Sequence, residues 1–215
     1  GYTNLSEGIR GLDTSVDVSA SNVSVSSTTT GFFVTAGVLT LSNSSAASGV
    51  TGLQSNSNST ANVSYSVFNG NSSYGLYLNG AGTFHHLAVV GNAYGAYLYN
   101  TGTNAIVLRD SIFASNTNYE VYRSTSSSAG FTWTYSDYWN NGVGSTSNAS
   151  CGTGCFSANP LFVSAGNFRL TRNSPGRQTA SDASDLGALP YVSDATTGLQ
   201  GTLYANTTLS GANTV

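Results

Sequence analysis

Two carboxylates, one arginine, a histidine pair and two cysteines are the residues of this chain whose types and spacing suggest chemistry. Asp110 and Asp137 each stand next to an apolar pair, Ile112-Phe113 and Tyr138-Trp139, and Arg109 adjoins the first acid. If successive segments stack as parallel strands, about 4.8 Å apart, the two acids fall one or two rungs apart on one face. An inverting glycosidase holds its two carboxyls roughly 6.5–9.5 Å apart. The alternative is a corner Asp that caps a turn through its own backbone. His85 and His86 are adjacent, and on a regular strand they point to opposite faces, so they do not converge on one metal. Cys151 and Cys155 have no histidine neighbour and make a poor zinc site. Their short, Gly-rich spacing suits a small disulfide loop, which fits an oxidising compartment; two free thiols are the alternative. No metal or cofactor is expected.

Composition excludes several classes. Only 7% of the 215 residues are charged, the net charge is -3, and there is no Met. All six basic residues are Arg. Duplex binding needs clustered Lys and Arg to displace counterions from phosphate, so no nucleic-acid partner is expected. No apolar run approaches a membrane span, so no membrane insertion is expected. A calcium-dependent polysaccharide lyase needs convergent carboxylates, and the nine acids here are scattered. A flat ice-binding face needs Thr at one position in every repeat, and the Thr residues do not recur in register. Disordered chains have few aromatics, whereas this one has 13 Tyr, 9 Phe and 2 Trp.

The elements that must position these residues repeat. Tyr74-Gly75-Leu76-Tyr77, Tyr94-Gly95-Ala96-Tyr97 and Tyr119-Glu120-Val121-Tyr122 are spaced by 20 and 25 residues. In phase with them run Val67-Phe68, Val89-Val90, Ile112-Phe113 and Tyr138-Trp139, each followed by an Asn at 71, 92, 116 and 141. A period near 22 residues with short β-type segments specifies a solenoid, because one coil cannot bury its own apolar face. Val and Thr alternate between Gly, Ser and Asn clusters, the pattern of strands and corners. The spacing predicts a ladder of Tyr74, Tyr94 and Tyr119, another of Phe68, Phe113 and Trp139, and an Asn ladder inside one corner. Residues 1–14 read as a lead-in or cap, 15–141 as coils, 142–193 as a loop and closing segment, and 194–215 as a strand-like extension.

The closing segment carries Asn159-Pro160-Leu161-Phe162-Val163, Phe168-Arg169-Leu170, Ser174-Pro175-Gly176-Arg177 and Asp185-Leu186-Gly187-Ala188. These motifs resemble the end of right-handed parallel β-helix repeat proteins found on bacterial surfaces. The match is tight over about 30 residues and loose over the preceding coils. It departs at Asn159, where the pattern has Asp, and at Gly176 and Gln178, where it has Ala and Asp. The resemblance implies a secreted or surface-anchored, often modular protein with no assigned active site. It also implies that the stretch Gly198–Leu203 leads into another β-helical segment.

The expectation is therefore an all-β, right-handed parallel β-helix with an irregular closing segment. The expected role is an extracellular structural one: a surface adhesin segment or a self-assembling filament subunit. Its partner would be itself, stacked end to end through Leu203, Tyr204, Leu209 and Val215, or a following β-helical module. A carbohydrate-active enzyme using Asp110, Asp137 and Arg109, or a polysaccharide-binding module using the tyrosines, is the competing class. Asn-x-Ser/Thr sequons at Asn22, Asn43, Asn58, Asn71, Asn148 and Asn206 are candidates for glycosylation.

Overall fold

The computed structural model describes residues 2–3, 6–11, 17–99, 105–124, 130–142 and 148–193. Among these residues every regular element is a strand, and the strands stack in parallel into a solenoid of about five turns. Each turn contributes three strands, so the solenoid has three faces. The first face includes Ser24–Ser26, Ser45–Ala47, Ile112–Ala114 and Asp137–Trp139. The second includes Glu7–Gly11, Tyr74–Leu78, Tyr94–Leu98 and Tyr119–Arg123. The third includes Val18–Ser21, Ile106–Arg109 and Phe131–Thr134. The longer strands Thr30–Ser42, Thr51–Asn69 and Ala81–Val90 run round corners and serve more than one face.

Register follows from which side chains must be inside, since a one-residue slip would turn a coil's apolar set outward. On the third face Ala20, Leu41, Val63, Phe84, Leu108 and Trp133 form one inward column. On the second, Ile9, Phe32, Leu53, Leu76, Ala96 and Val121 do the same. The first face contributes Val25, Ala46, Phe68, Val89, Phe113 and Tyr138. This register corrects the expected Phe68–Phe113–Trp139 ladder. Tyr138 pairs with Phe113, while Trp139 pairs with Ala114 and is 36% exposed. Glu7–Gly11 already pairs with the strand Thr30–Ser42, so coil structure reaches back into the segment read as a lead-in.

Two corners of each turn are made by a left-handed residue, and after the first face these are Ser27, Ser48, Gly70, Gly91, Ser115 and Asn140. Between the third and first faces these are Asn22, Asn43, Tyr65, His86, Asp110 and Tyr135, all at φ between 45° and 58°. The residue after each of these latter corners closes a serine ladder. Ser66 Oγ accepts the Ser44 N–H at 3.1 Å and donates to the Ser64 carbonyl at 2.8 Å. Ser111 and Ser136 repeat this arrangement, and Leu87 interrupts it. Between the first and second faces stands the Asn ladder. Each of Asn92, Asn116 and Asn141 accepts from the backbone and side-chain amides of the Asn one coil earlier, at 2.9–3.1 Å. Each also donates from Nδ2 to a carbonyl of the first face. The ladder thus satisfies polar groups that the corner buries.

The two ends differ. Residues 148–158 form an irregular cover on the last coil. Gly152 N donates to the Trp133 carbonyl at 2.8 Å, Phe156 N to Ser136 at 3.0 Å, and Tyr138 N to Phe156 at 3.1 Å. A Cys151–Cys155 disulfide closes this loop, and Ala149 enters the core. At the opposite end Glu7–Gly11 and Val18–Ser21 are each paired along one edge only among the described residues. There the core side chains Ile9, Val18, Ala20 and Val23 are only partly covered.

The closing segment then folds back along the outside of the first face. Its Phe162–Ser164 and Asn167–Leu170 strands form a small antiparallel hairpin. Leu170, Ala180 and Leu186 pack on Ile112 and Ala114, while Phe168 and Ala188 pack on Ala88.

Candidate functional site

Two places concentrate polar or aromatic side chains: the seam where the closing segment meets the coils, and the outer surface of the second face.

At the seam, Asp110 has no exposed area, and its carboxylate holds the closing segment. Oδ1 accepts the Ser181 N–H at 2.6 Å and Oδ2 accepts the Ser181 hydroxyl at 2.9 Å. Arg109 is ion-paired with the same carboxylate. Asp137 is not the equivalent residue one coil on, because Asp110 occupies the corner and Asp137 pairs with Ile112. It too is fully buried, with Oδ1 accepting the Ala158 N–H at 3.0 Å and Oδ2 without a partner. Asp110, Asp137 and Arg109 therefore line no shared groove. Each acid lies under residues of the closing segment, where substrate has no access. The corner, not the strand, accounts for the displacement: counting from apolar pairs misses the one-residue slip of Tyr138-Trp139 against Ile112-Phe113.

The histidines also depart from expectation. His86 is a left-handed corner residue, so its ring turns back and the two Nδ1 atoms lie 3.0 Å apart. Tyr65, the corner residue one coil earlier, stacks on His86 at 4.7 Å. His86 Nε2 is 2.9 Å from Ser184 Oγ, which donates to Asp182 Oδ1 at 2.6 Å. Since the serine hydrogen goes to the carboxylate, His86 Nε2 carries a hydrogen and donates to Ser184. His86 Nδ1 then accepts, and His85 Nδ1–H donates to it. His86 is neutral in this relay, and burial pushes the pKa of both imidazoles down. A nucleophile–base pair needs the reverse direction, with the imidazole accepting the serine proton. The relay instead fixes the closing segment to a corner.

Burial pushes the Asp137 carboxyl up to about 7, and its hydrogen bonds to backbone N–H groups offset this only in part. Its folded pKa thus exceeds its unfolded value near 3.8, so the folded state binds the proton more tightly. The associated stability is full below the unfolded pKa and is lost as pH rises to about 7. Asp137→Asn, which keeps the acceptor for Ala158, is expected to remove this slope. Urea denaturation at acid and alkaline pH checks it: the variant gains on the wild type as pH rises across that window. An unchanged difference would mean that Asp137 is ionised in the fold throughout.

The second face carries the other concentration. Tyr74, Tyr94 and Tyr119 form one outward column, and Tyr77, Tyr97 and Tyr122 form a second beside it. In the second column Tyr77 and Tyr97 stack at 5.5 Å with planes 5° apart, and Tyr97 and Tyr122 at 5.0 Å and 18°. The first column runs at 5.5 and 5.9 Å. Tyr99 sits 6.3 and 6.4 Å from Tyr77 and Tyr97. The rings are half-exposed, and toward the other end of the face the plate gives way to Gln54, Phe33 and an Arg10 stacked over Phe33. Burial, then neighbouring tyrosines, raises the phenol pKa at Tyr77 and Tyr97.

The sequons fall in different settings. Asn22, Asn43, Asn58 and Asn148 are exposed, and Asn206 lies outside the described residues. Asn71 is 2% exposed and both Nδ2 hydrogens are used, to the Ala46 carbonyl and Asn92 Oδ1, so a glycan there would replace a buried hydrogen-bond donor. Asn71 is therefore withdrawn from the glycosylation candidates. Leu203, Tyr204, Leu209 and Val215 also lie outside the described residues.

By fold the chain is a parallel β-solenoid with a folded-back closing segment. No protein-family model matches it, and no curated protein matches it either. No helix among the described residues is long and apolar enough to cross a membrane.

Proposed function

We propose that this chain is a structural segment of a secreted or surface-exposed β-solenoid that extends by joining further solenoid end to end. The observation that carries the reading is the difference between its two ends. At one end the disulfide-closed loop covers the first and third faces, and Tyr119–Arg123 on the second face is paired along one edge. Among the described residues, the other presents strand edges on two faces and partly covered core residues, among them Ile9 and Ala20. Unpaired parallel edges above an open core invite strand addition. Sparse charge, with a net of -3 over 215 residues, supplies little repulsion between copies. The disulfide supports an oxidising, extracellular setting.

The occupant we assign to the open end is the segment 194–215 of a second copy. Its 22 residues equal about one coil, and Leu199, Leu203 and Leu209 supply apolar residues for the open core. Electron microscopy and light scattering of the purified chain test this. The expected result is chains of particles that grow with concentration. Both Ala20→Glu, which places a charge in the open core, and removal of 194–215 should return monomers with unchanged circular dichroism. Monomers from the unaltered chain at high concentration would sink the reading, and growth that survives the removal would reassign the occupant.

A further inference from the structure

The tyrosine plate has a chemistry of its own, independent of the assembly proposed above. Six half-exposed phenols stand side by side in its two columns. The chain has no Met, and both cysteines are already joined. Trp133 is 2% exposed in the core, and Trp139 stands on the first face, away from the plate. A one-electron oxidant reaching the second face therefore meets phenols first. Within the plate each ring has neighbours at 5.0–5.9 Å, so a radical formed on one ring can exchange with others of the same kind. Tyr97 is the shared member, stacked on Tyr77 on one side and on Tyr122 on the other.

We propose that Tyr97 is an oxidative cross-linking site, joined through a ring carbon to Tyr77 or Tyr122 by a haem-peroxidase-class oxidant using hydrogen peroxide. Each phenol gives up one electron and one proton to become a phenoxyl radical. The two radicals form a carbon–carbon bond between positions ortho to oxygen. The hydrogens on those two carbons then return to the oxygens as the rings regain aromaticity. Two phenols and one hydrogen peroxide give one dityrosine and two waters, so the protein loses two hydrogens. The parallel register places the same residue type on consecutive rungs, about 4.8 Å apart along the axis, and this lets the bond form within one chain. Such a link ties one coil to the next on a face that otherwise relies on ladder hydrogen bonds and ring packing.

The test is treatment of the folded chain with a peroxidase and hydrogen peroxide, followed by dityrosine fluorescence and mass spectrometry of peptic peptides. The expected product is a monomer lighter by two hydrogens, with the link between residues 74–78 and 94–98 or between 94–98 and 119–123. Tyr97→Phe keeps the ring and the packing, and it should lose most of the cross-link between Tyr77, Tyr97 and Tyr122. The same treatment of guanidinium-unfolded chain should scatter links over other tyrosines. Links concentrated on Tyr65, Tyr135, Tyr138 or Tyr191 would overturn the proposal. So would links only between chains, a yield untouched by Tyr97→Phe, or one pattern for folded and unfolded protein.

Discussion

Asn92→Ala is expected to destabilise the solenoid by about 3–5 kcal/mol, among the largest effects of any single side-chain truncation in the chain. Asn92 is 1% exposed and stands in the middle of its ladder. Its Oδ1 accepts both Asn71 N at 3.0 Å and Asn71 Nδ2 at 2.9 Å. Its Nδ2 donates to the Phe68 carbonyl at 3.0 Å and to Asn116 Oδ1 at 3.1 Å. Truncation leaves the Asn71 backbone N–H and the Phe68 carbonyl buried without the side chain that paired them. Each such group costs about 1–3 kcal/mol on top of the bond itself. Asn92→Asp should do comparable damage, because its second oxygen would face two acceptors. Asn43→Ala is the internal contrast: Asn43 is an exposed corner residue, and the change should stay within about 1–2 kcal/mol, the strain of Ala in a left-handed position. Urea unfolding monitored by circular dichroism gives all three values. A loss at Asn92 no greater than at Asn43 would mean that the ladder contributes order without stability.

Why some of this was legible in the sequence and some was not follows from what each position requires. An amide ladder works only if every coil supplies an amide, so Asn71, Asn92, Asn116 and Asn141 recur, each three residues after an inward side chain. The tyrosine columns recur for the same reason, since each ring packs on its own kind. The left-handed corner between the third and first faces demands only a backbone conformation, and its residues range over Asn, Tyr, His and Asp. That variety hid the corner, and with it the true placement of His86 and Asp110. The serine ladder was obscured by Leu87 and by the abundance of Ser elsewhere. The antiparallel hairpin at Phe162–Leu170 and its docking on the first face depend on tertiary contacts that carry no period at all.

Gly52→Ala should cost about 3 kcal/mol or more, although the substitution adds one methyl group and Gly52 has an ordinary backbone conformation. The reason is a column of close approaches. Gly8, Gly31, Gly52, Gly75 and Gly95 follow one another at the start of the second face. A Cβ on Gly52 would lie 2.6 Å from the Gly75 carbonyl oxygen, 2.8 Å from Phe68 Cδ1 and 3.1 Å from Asn71 Nδ2. The first obstacle is backbone of the next coil and cannot rotate away. Moving it would lengthen the parallel ladder hydrogen bonds on both sides. Gly130→Ala serves as the control, since its nearest atoms are 4.0 Å away, and it should fall within about 0.5 kcal/mol of the wild type. The Gly52 variant also presses on Asn71, which the Asn92 truncation has already deprived of its partner. The two changes therefore share a residue, and the double variant is expected to lose less than the sum of the singles. Strict additivity would mean that the glycine column and the amide ladder hold the coils together independently.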